Sequence, residues 1–308
     1  MIDIQLNLPE NYLSEEERFG YTIPADMKEV WAVMLDLFAE FDRVCKKHHI
    51  HYMASGGTLL GAVRHKGFIP WDDDMDLMMK RDDYEKLCEV AITEFKHPYF
   101  FQTYQTDQHY NRAYAKLRNS ETTSIQKNSR HVGYKYNQGI FIDIFPLDAV
   151  APTSISKKIQ KFKCNYYMAQ AAHSVSLKNN YQVTNGGKLF LIDQFLYRIL
   201  GGLHPNCLNV EHNMKKLTYW CKKYSSKNPI YYSKLSFQPK NEKQLIPLND
   251  IEDLILMDFE FLKIPVPKNF DDYLRRRYGD YMTPLNTGGY HGELFFDTNH
   301  SFKMYIDV

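Results

Sequence analysis

Between Tyr52 and Leu77 the chain reads YMASGGTLLGAVRHKGFIPWDDDMDL, a glycine pair followed by an apolar stretch and then four carboxylates in five residues. Two like charges about 4 Å apart at an effective dielectric near 20 repel by roughly 4 kcal/mol, and a whole domain is stable by only about 5–15 kcal/mol. Asp72, Asp73, Asp74 and Asp76 therefore demand a bound cation, access to solvent or raised carboxyl pKa values. Any fold of this chain must meet that demand.

The surrounding pattern says what carries the cluster. Apolar residues at three and four spacing (Val30, Met34, Leu37, Phe38, Phe41, Val44) predict an amphipathic helix over Pro24–His49. A short strand over Ile50–Ala54 then enters Ser55, Gly56 and Gly57, and Thr58–Val63 reads as a helix opening directly after the glycines. Strand, glycine turn and helix form a layout that can cradle phosphate. A loop over His65–Pro70 leads to a second strand at Asp74–Met79, and Arg81–Phe95 reads as a helix with acids in its first turn. Tyr99–Thr103 and Ala113–Arg118 are further strand candidates, and Gly139–Phe145, GIFIDIF, is the most strand-like segment of the chain.

On a strand, residues two apart face the same way. Asp74 and Asp76 then share one side, Met75 and Leu77 face the core, and Asp72 extends the acidic row. In GIFIDIF the three isoleucines share one face while Phe141, Asp143 and Phe145 share the other. A carboxylate in so apolar a strand is costly unless it is paired or bound to metal. Beside the first acidic strand, Asp143 would be a third carboxylate ligand or the base for an attacking hydroxyl; the alternative is a buried Asp bonded to a loop. Oxygen donors of this kind suit magnesium, or manganese in its place, better than zinc. A glycine turn at a helix start, an Asp-x-Asp strand and a later strand with a lone Asp follow the order of the nucleotidyltransferase fold.

The formal net charge is +1, which gives no argument for nucleic-acid binding. No apolar run reaches the roughly 18 residues needed to span a bilayer, the start of the chain lacks a secretory pattern, and five cysteines without a CxxC pair suit a reducing compartment. The expected location is cytoplasmic, at the inner face of the membrane if the chain touches one. His204, Cys207, His212 and Cys221 match no common zinc spacing, so no structural zinc is expected. Beyond Pro152 the spacing over 153–235 is helical, Ile246–Pro267 reads as short strands or turns, and Asp271–Tyr281 as a last helix with Asn269 as its cap. Lys157, Lys158, Lys161 and Lys163 near Tyr166 and Tyr167, with the apolar run Leu189–Leu200, could make a peripheral membrane contact, although a core helix is the preferred reading. The expected organisation is an α+β chain with a mixed β-sheet flanked by helices at 1–150 and a mainly helical region at 151–308 that packs on it and helps form the substrate site.

The long motif GGTLLGAVRHKGFIPWDDDMDL followed by MKRDDYEKL resembles the LicD family, related to the fukutin-type ribitol-phosphate transferases, and the resemblance continues in AKLRNSETTSI, FIDIFPLDAV and VPKNFDDYLRRRYGDYMTP. It implies a nucleotidyltransferase-like core and a metal-dependent transfer of a phospho-alcohol group, with phosphocholine from CDP-choline as the expected case, to a glycan or lipid-linked glycan such as teichoic acid or lipopolysaccharide, with CMP leaving. It further implies a phosphate-contacting turn at Gly56, Gly57 and Thr58, metal ligation by Asp74 and Asp76 with Asp72 joining them, and a third acidic role for Asp143. Asp73 ranks below the other acids. Arg64, His65, Lys116 and Arg118 are candidate phosphate cations. Trp71 is a structural plug or a surface for a choline-like cation, and of Arg275, Arg276 and Arg277 at most two can reach one site. The rival readings are a nucleotidyltransferase moving the nucleoside monophosphate itself and a non-catalytic nucleotide-binding protein.

Overall fold

The computed structural model describes residues 4–108, 110–126, 136–178, 209–225, 229–237, 245–284 and 294–305, apart from the side chains of 172–178. Its centre is a seven-stranded mixed sheet built on one long strand, β8 (Ile140–Ala149). β8 runs parallel to β4 (Asp76–Lys80), which pairs antiparallel with β3 (Met53–Ala54). It also pairs antiparallel with β6 (Ala115–Asn119), which in turn holds β5 (Tyr99–Gln102). Two neighbouring parallel strands need a crossover, and the chain between β4 and β8 supplies α3 (Arg81–Glu94) for it.

The long predicted helix is α1 (Ala25–Lys47), with Pro24 at its N-cap. All six residues of its expected stripe are buried, and Trp31, Val33 and Leu35 are buried as well, so it is a central helix rather than a surface one. It packs on β6 and β8. Its polar insertions have partners: Asp36 accepts hydrogen bonds from the Gln5 and Leu6 amides and from the Tyr99 hydroxyl. α2 (Gly56–His65) begins at the glycines themselves, two residues before the expected start. α3 and the strands β5, β6 and β8 fall within a few residues of their expected positions, with β8 running four residues further, to Ala149.

β8 ends at Ala149, and the chain beyond it returns to the same sheet. α4 (Ser154–Lys178) and α5 (Val210–Lys222) pack on each other around Cys164, Met214, Leu217 and Cys221. β9 (Tyr231–Ser233) then pairs with the end of β8, Asp148 opposite Ser233, and β10 (Ile246–Pro247) pairs with β9. After a helical turn, α6 (Asn249–Glu252), the hairpin β11 (Leu254–Phe259) and β12 (Leu262–Pro267) places Phe259, Ile264 and Val266 in the main core. α7 (Phe270–Tyr278) has Asn269 at its N-cap position, without the expected side-chain cap bond. β13 (Leu294–Asp297) pairs with β7 (Thr123–Gln126). His204, Cys207 and the run Leu189–Leu200 lie outside the described residues, and Cys221 packs against Cys164, Sγ to Sγ 3.9 Å.

One buried ion pair fastens the crossover to the sheet. Arg81, the first residue of α3, donates from Nε and Nη2 to the two carboxylate oxygens of Asp148 near the end of β8, at 2.7 and 2.9 Å. Removing one partner from a buried pair strands the other charge and typically destabilises by about 3–5 kcal/mol, whereas replacing both with apolar groups is often neutral. Asp148→Ala should therefore lower the stability read from the urea midpoint by about that amount, and Arg81→Met combined with Asp148→Leu should recover most of it.

Candidate active site

The acidic cluster sits where α2, β4 and β8 meet. β4 begins at Asp76 rather than Asp74, and Asp72–Met75 forms the loop that enters it. The indole of Trp31 on α1 donates to the Asp72 carbonyl at 3.0 Å, and the Asp72 amide donates to the Ile69 carbonyl, so the Asp72 backbone is committed to partners other than a strand, while the Met75 carbonyl already accepts from the Asp143 amide of β8. The alternation expected from the sequence nevertheless survives: Met75 and Leu77 are fully buried, while Asp74 and Asp76 are half-buried. Asp73, ranked last among the acids, is the most deeply buried of the four.

The glycines are explained by close approach. Gly56 has φ +55°, in the left-handed region open to glycine. A Cβ on it would lie 2.8 Å from Asp76 Oδ2, and one on Gly57 would collide with Asp72 Oδ2. Two carboxylates thus rest against the first residues of α2. The junction is tied further by Thr58, whose hydroxyl accepts the Asp76 amide at 2.8 Å, and by the Ser55 amide, which donates to the Asp76 carbonyl at 3.0 Å.

Sheet register completes the row. Asp76 on β4 stands opposite Asp143 on β8, and Asp143 stands opposite Lys116 on β6. In-register neighbours on adjacent strands project to the same face about 4.8 Å apart. Lys116 Nζ donates to Asp143 Oδ1 at 2.5 Å and lies over the Phe141 ring. Burial pushes the Lys116 amine down to about 8, against the upward pull of Asp143. Burial pushes the Asp76 carboxyl up to about 7; the charges of Asp74 and Asp143 add to the rise, and Lys234 and Lys116 oppose it.

Lys234 was not anticipated. It lies just past β9, 158 positions after Asp76, in a tyrosine-rich stretch where no spacing marks it. Its Nζ donates to the Ser55 hydroxyl at 3.0 Å and lies 4.0 Å from the Phe145 ring centroid. Burial lowers its pKa, and Asp76, Asp143 and Asp74 pull it back up. Arg277 on α7 also acts electrostatically on Asp76 and Lys234. Of the three consecutive arginines, Arg275 pairs with Asp271 and Arg276 with Asp250, while Arg277 donates from Nε to the Tyr278 hydroxyl at 3.1 Å.

The remaining candidates are placed differently. Arg118 is buried on β6, its guanidinium bound to the Gln102 side chain and the Gly139 carbonyl, both at 2.6 Å, and stacked on Phe141. Arg64 and His65 lie at the far end of α2, about 13 Å along its axis from Gly56. Arg64 donates to the Tyr281 carbonyl at 2.7 Å. His65 is buried between Phe19 and Trp71, and burial holds its pKa down to about 4. Trp71 is half-buried and meets Tyr21 and His65 edge to face, the packing expected of a plug.

Residues 49–176, which contain the glycine turn, the acids, Lys116 and Asp143, match the family model LicD/FKTN/FKRP, nucleotidyltransferase domain. Segment 49–176 is thus a LicD-type domain. It is 28% identical over 263 residues to the lipopolysaccharide cholinephosphotransferase LicD of Haemophilus influenzae, covering 83% of this chain and 91% of that protein. Shorter matches of 39% over 57 residues and 42% over 63 residues are found to uncharacterized proteins of Rickettsia prowazekii and Rickettsia typhi. Lys234 and Arg277 lie outside the segment matched to the LicD model.

Whether the acids suit a divalent cation is a question of donor chemistry. Among the described residues no three acidic, histidine or cysteine side chains form a ready metal cage. Magnesium, however, needs only one or two carboxylates, keeping waters and taking phosphate oxygens for the rest. Asp74 and Asp76 supply hard oxygen donors, and Asp76 stands in register with the Asp143 carboxylate.

The sign of that shift sets a pH dependence. A carboxyl whose folded pKa lies above its unfolded value favours the folded state at low pH, and the advantage is lost as pH rises from about 4 to about 7. Asp76→Asn, measured with chelator present, should therefore unfold later than the parent at pH 8, by about 2 kcal/mol after allowance for solvent. The difference should vanish near pH 4, and an equal gap at both pH values would refute the assigned cause.

Proposed function

We propose that the protein transfers a phospho-alcohol group, with phosphocholine from CDP-choline as the expected case, to a hydroxyl of a cell-surface glycan such as lipopolysaccharide or teichoic acid, releasing CMP. The observation that carries this reading is the register that sets Asp76 and Asp143 side by side at the glycine-bearing start of α2. The extent of the match to the Haemophilus cholinephosphotransferase supports the substrate class. The acceptor oxygen forms the new bond to the phosphorus bearing the alcohol, the bond from that phosphorus to the CMP oxygen breaks, and the hydroxyl proton passes to Asp143.

In this reading catalysis is mainly positioning and charge neutralisation, as phosphoryl transfer generally requires. Asp74 and Asp76, with Asp72 beside them, would hold magnesium, which when bound neutralises diphosphate oxygens. Gly56, Gly57 and Thr58 at the start of α2 present backbone amides to phosphate. Lys234, held at the N-cap Ser55 of α2, and Arg277 would supply cations for the charge that builds on the departing CMP. Lys116 fixes the Asp143 carboxylate within the row. No helix among the described residues is long and apolar enough to cross a membrane.

Labelled CDP-choline, magnesium and a glycan acceptor test the reading. Asp76→Ala and Asp143→Ala should each lower turnover by at least about 1,000-fold, and Lys234→Met by about 10- to 100-fold, with thermal unfolding showing that each variant is folded. The products should be CMP and choline-labelled acceptor. Release of pyrophosphate would assign the rival nucleotidyl transfer, and full activity in both aspartate variants would remove these residues from the chemistry.

A further inference from the structure

α4 has the wrong exterior for a helix whose outer face meets only water. Ile155, Phe162, Ile159 and Tyr166 are 73%, 64%, 46% and 40% exposed. At 3.6 residues per turn these four fall within an arc of about 60°. Of the buried residues of the same helix, Gln160, Cys164 and Ala171 lie roughly 150° away, where α4 meets α5 and the end of β8, and Gln170, beyond the stripe's last residue, lies about 50° away. The apolar stripe is thus a second face, distinct from the one that holds the helix to the protein.

Charge identifies the occupant. Over its 25 residues, SISKKIQKFKCNYYMAQAAHSVSLK, α4 carries five lysines and no acid. Lys158 and Lys163 fall about 40° beyond either margin of the stripe. An apolar strip with aromatics, bordered on both sides by lysines, has the arrangement of a helix lying in the headgroup plane of an anionic leaflet. A copy of the same face would bring lysines against lysines, which disfavours self-pairing.

We propose that α4 docks this protein on an anionic membrane surface, with Ile155, Ile159, Phe162 and Tyr166 entering the acyl boundary and Lys158 and Lys163 facing lipid phosphates. This surface is independent of the transfer reaction, and its test needs neither donor nor acceptor. The full chain is sedimented with phosphatidylcholine vesicles and with vesicles containing about 30 mol% phosphatidylglycerol. Binding should be at least about tenfold tighter to the anionic vesicles and should fall as salt is raised toward about 1 M, where the Debye length shrinks to about 3 Å. Ile159→Asp with Phe162→Asp should abolish binding while leaving thermal unfolding unchanged. Lys158→Glu with Lys163→Glu, the first exposed and the second half-buried, should weaken binding to anionic vesicles alone. No binding by the parent chain, or undiminished binding by both double variants, would overturn the proposal. So would a loss of self-association in the aspartate variant, detected by sedimentation velocity, without a loss of vesicle binding.

Discussion

The parallel pairing of β4 with β8 is the constraint on which the rest of the molecule turns. A parallel pair is only as good as its register, and this one sets a carboxylate opposite a carboxylate, Asp76 against Asp143. No isolated pair of strands would choose that alignment, because like charges directly opposite are unfavourable. The apolar partners enforce it: Leu77 with Ile144 and Met78 with Phe145, all buried. A slip of one residue would turn those side chains out of the core. Hydrophobic packing therefore holds the two acids in a position their electrostatics oppose, and the surrounding cations answer the conflict.

Those cations come from both halves of the chain. Lys116 reaches Asp143 along the sheet, whereas Lys234 and Arg277 come from the strand and helix that follow α5. Glu260, at the tip of the β11–β12 hairpin, accepts from the Phe68 amide and from Arg18 while its own amide donates to the Lys66 carbonyl, fixing the loop that leads into Trp71 and the acids. The second half of the chain thus contributes to the charge balance around the acids.

Much of this was legible in the residues. The stripe of α1, the alternation around Asp76 and the strand GIFIDIF each follow a short-range period, and such periods survive folding. Other features depend on distances no period encodes. Lys234 has no neighbour in sequence that marks it, and Arg277 can be separated from Arg275 and Arg276 only once their acidic partners are in place. Arg118 reads as a phosphate ligand from its charge, but the Gln102 side chain and the Gly139 carbonyl take up its guanidinium. The start of β4 slipped by two residues because Trp31, 41 positions earlier, holds the Asp72 carbonyl.

The way β9 closes on the end of β8 bears on how the protein is made. A chain emerging from the ribosome as far as residue 176 has the whole segment that matches the family, yet β8 and β7 both lack later partners, β9 and β13. Lys234 is also still to come, so the acids stand beside Lys116 alone among the two lysines that later offset Asp76. Completion of the charge balance around the acids is therefore a late event in synthesis, and the segment matched by the family model ends before it.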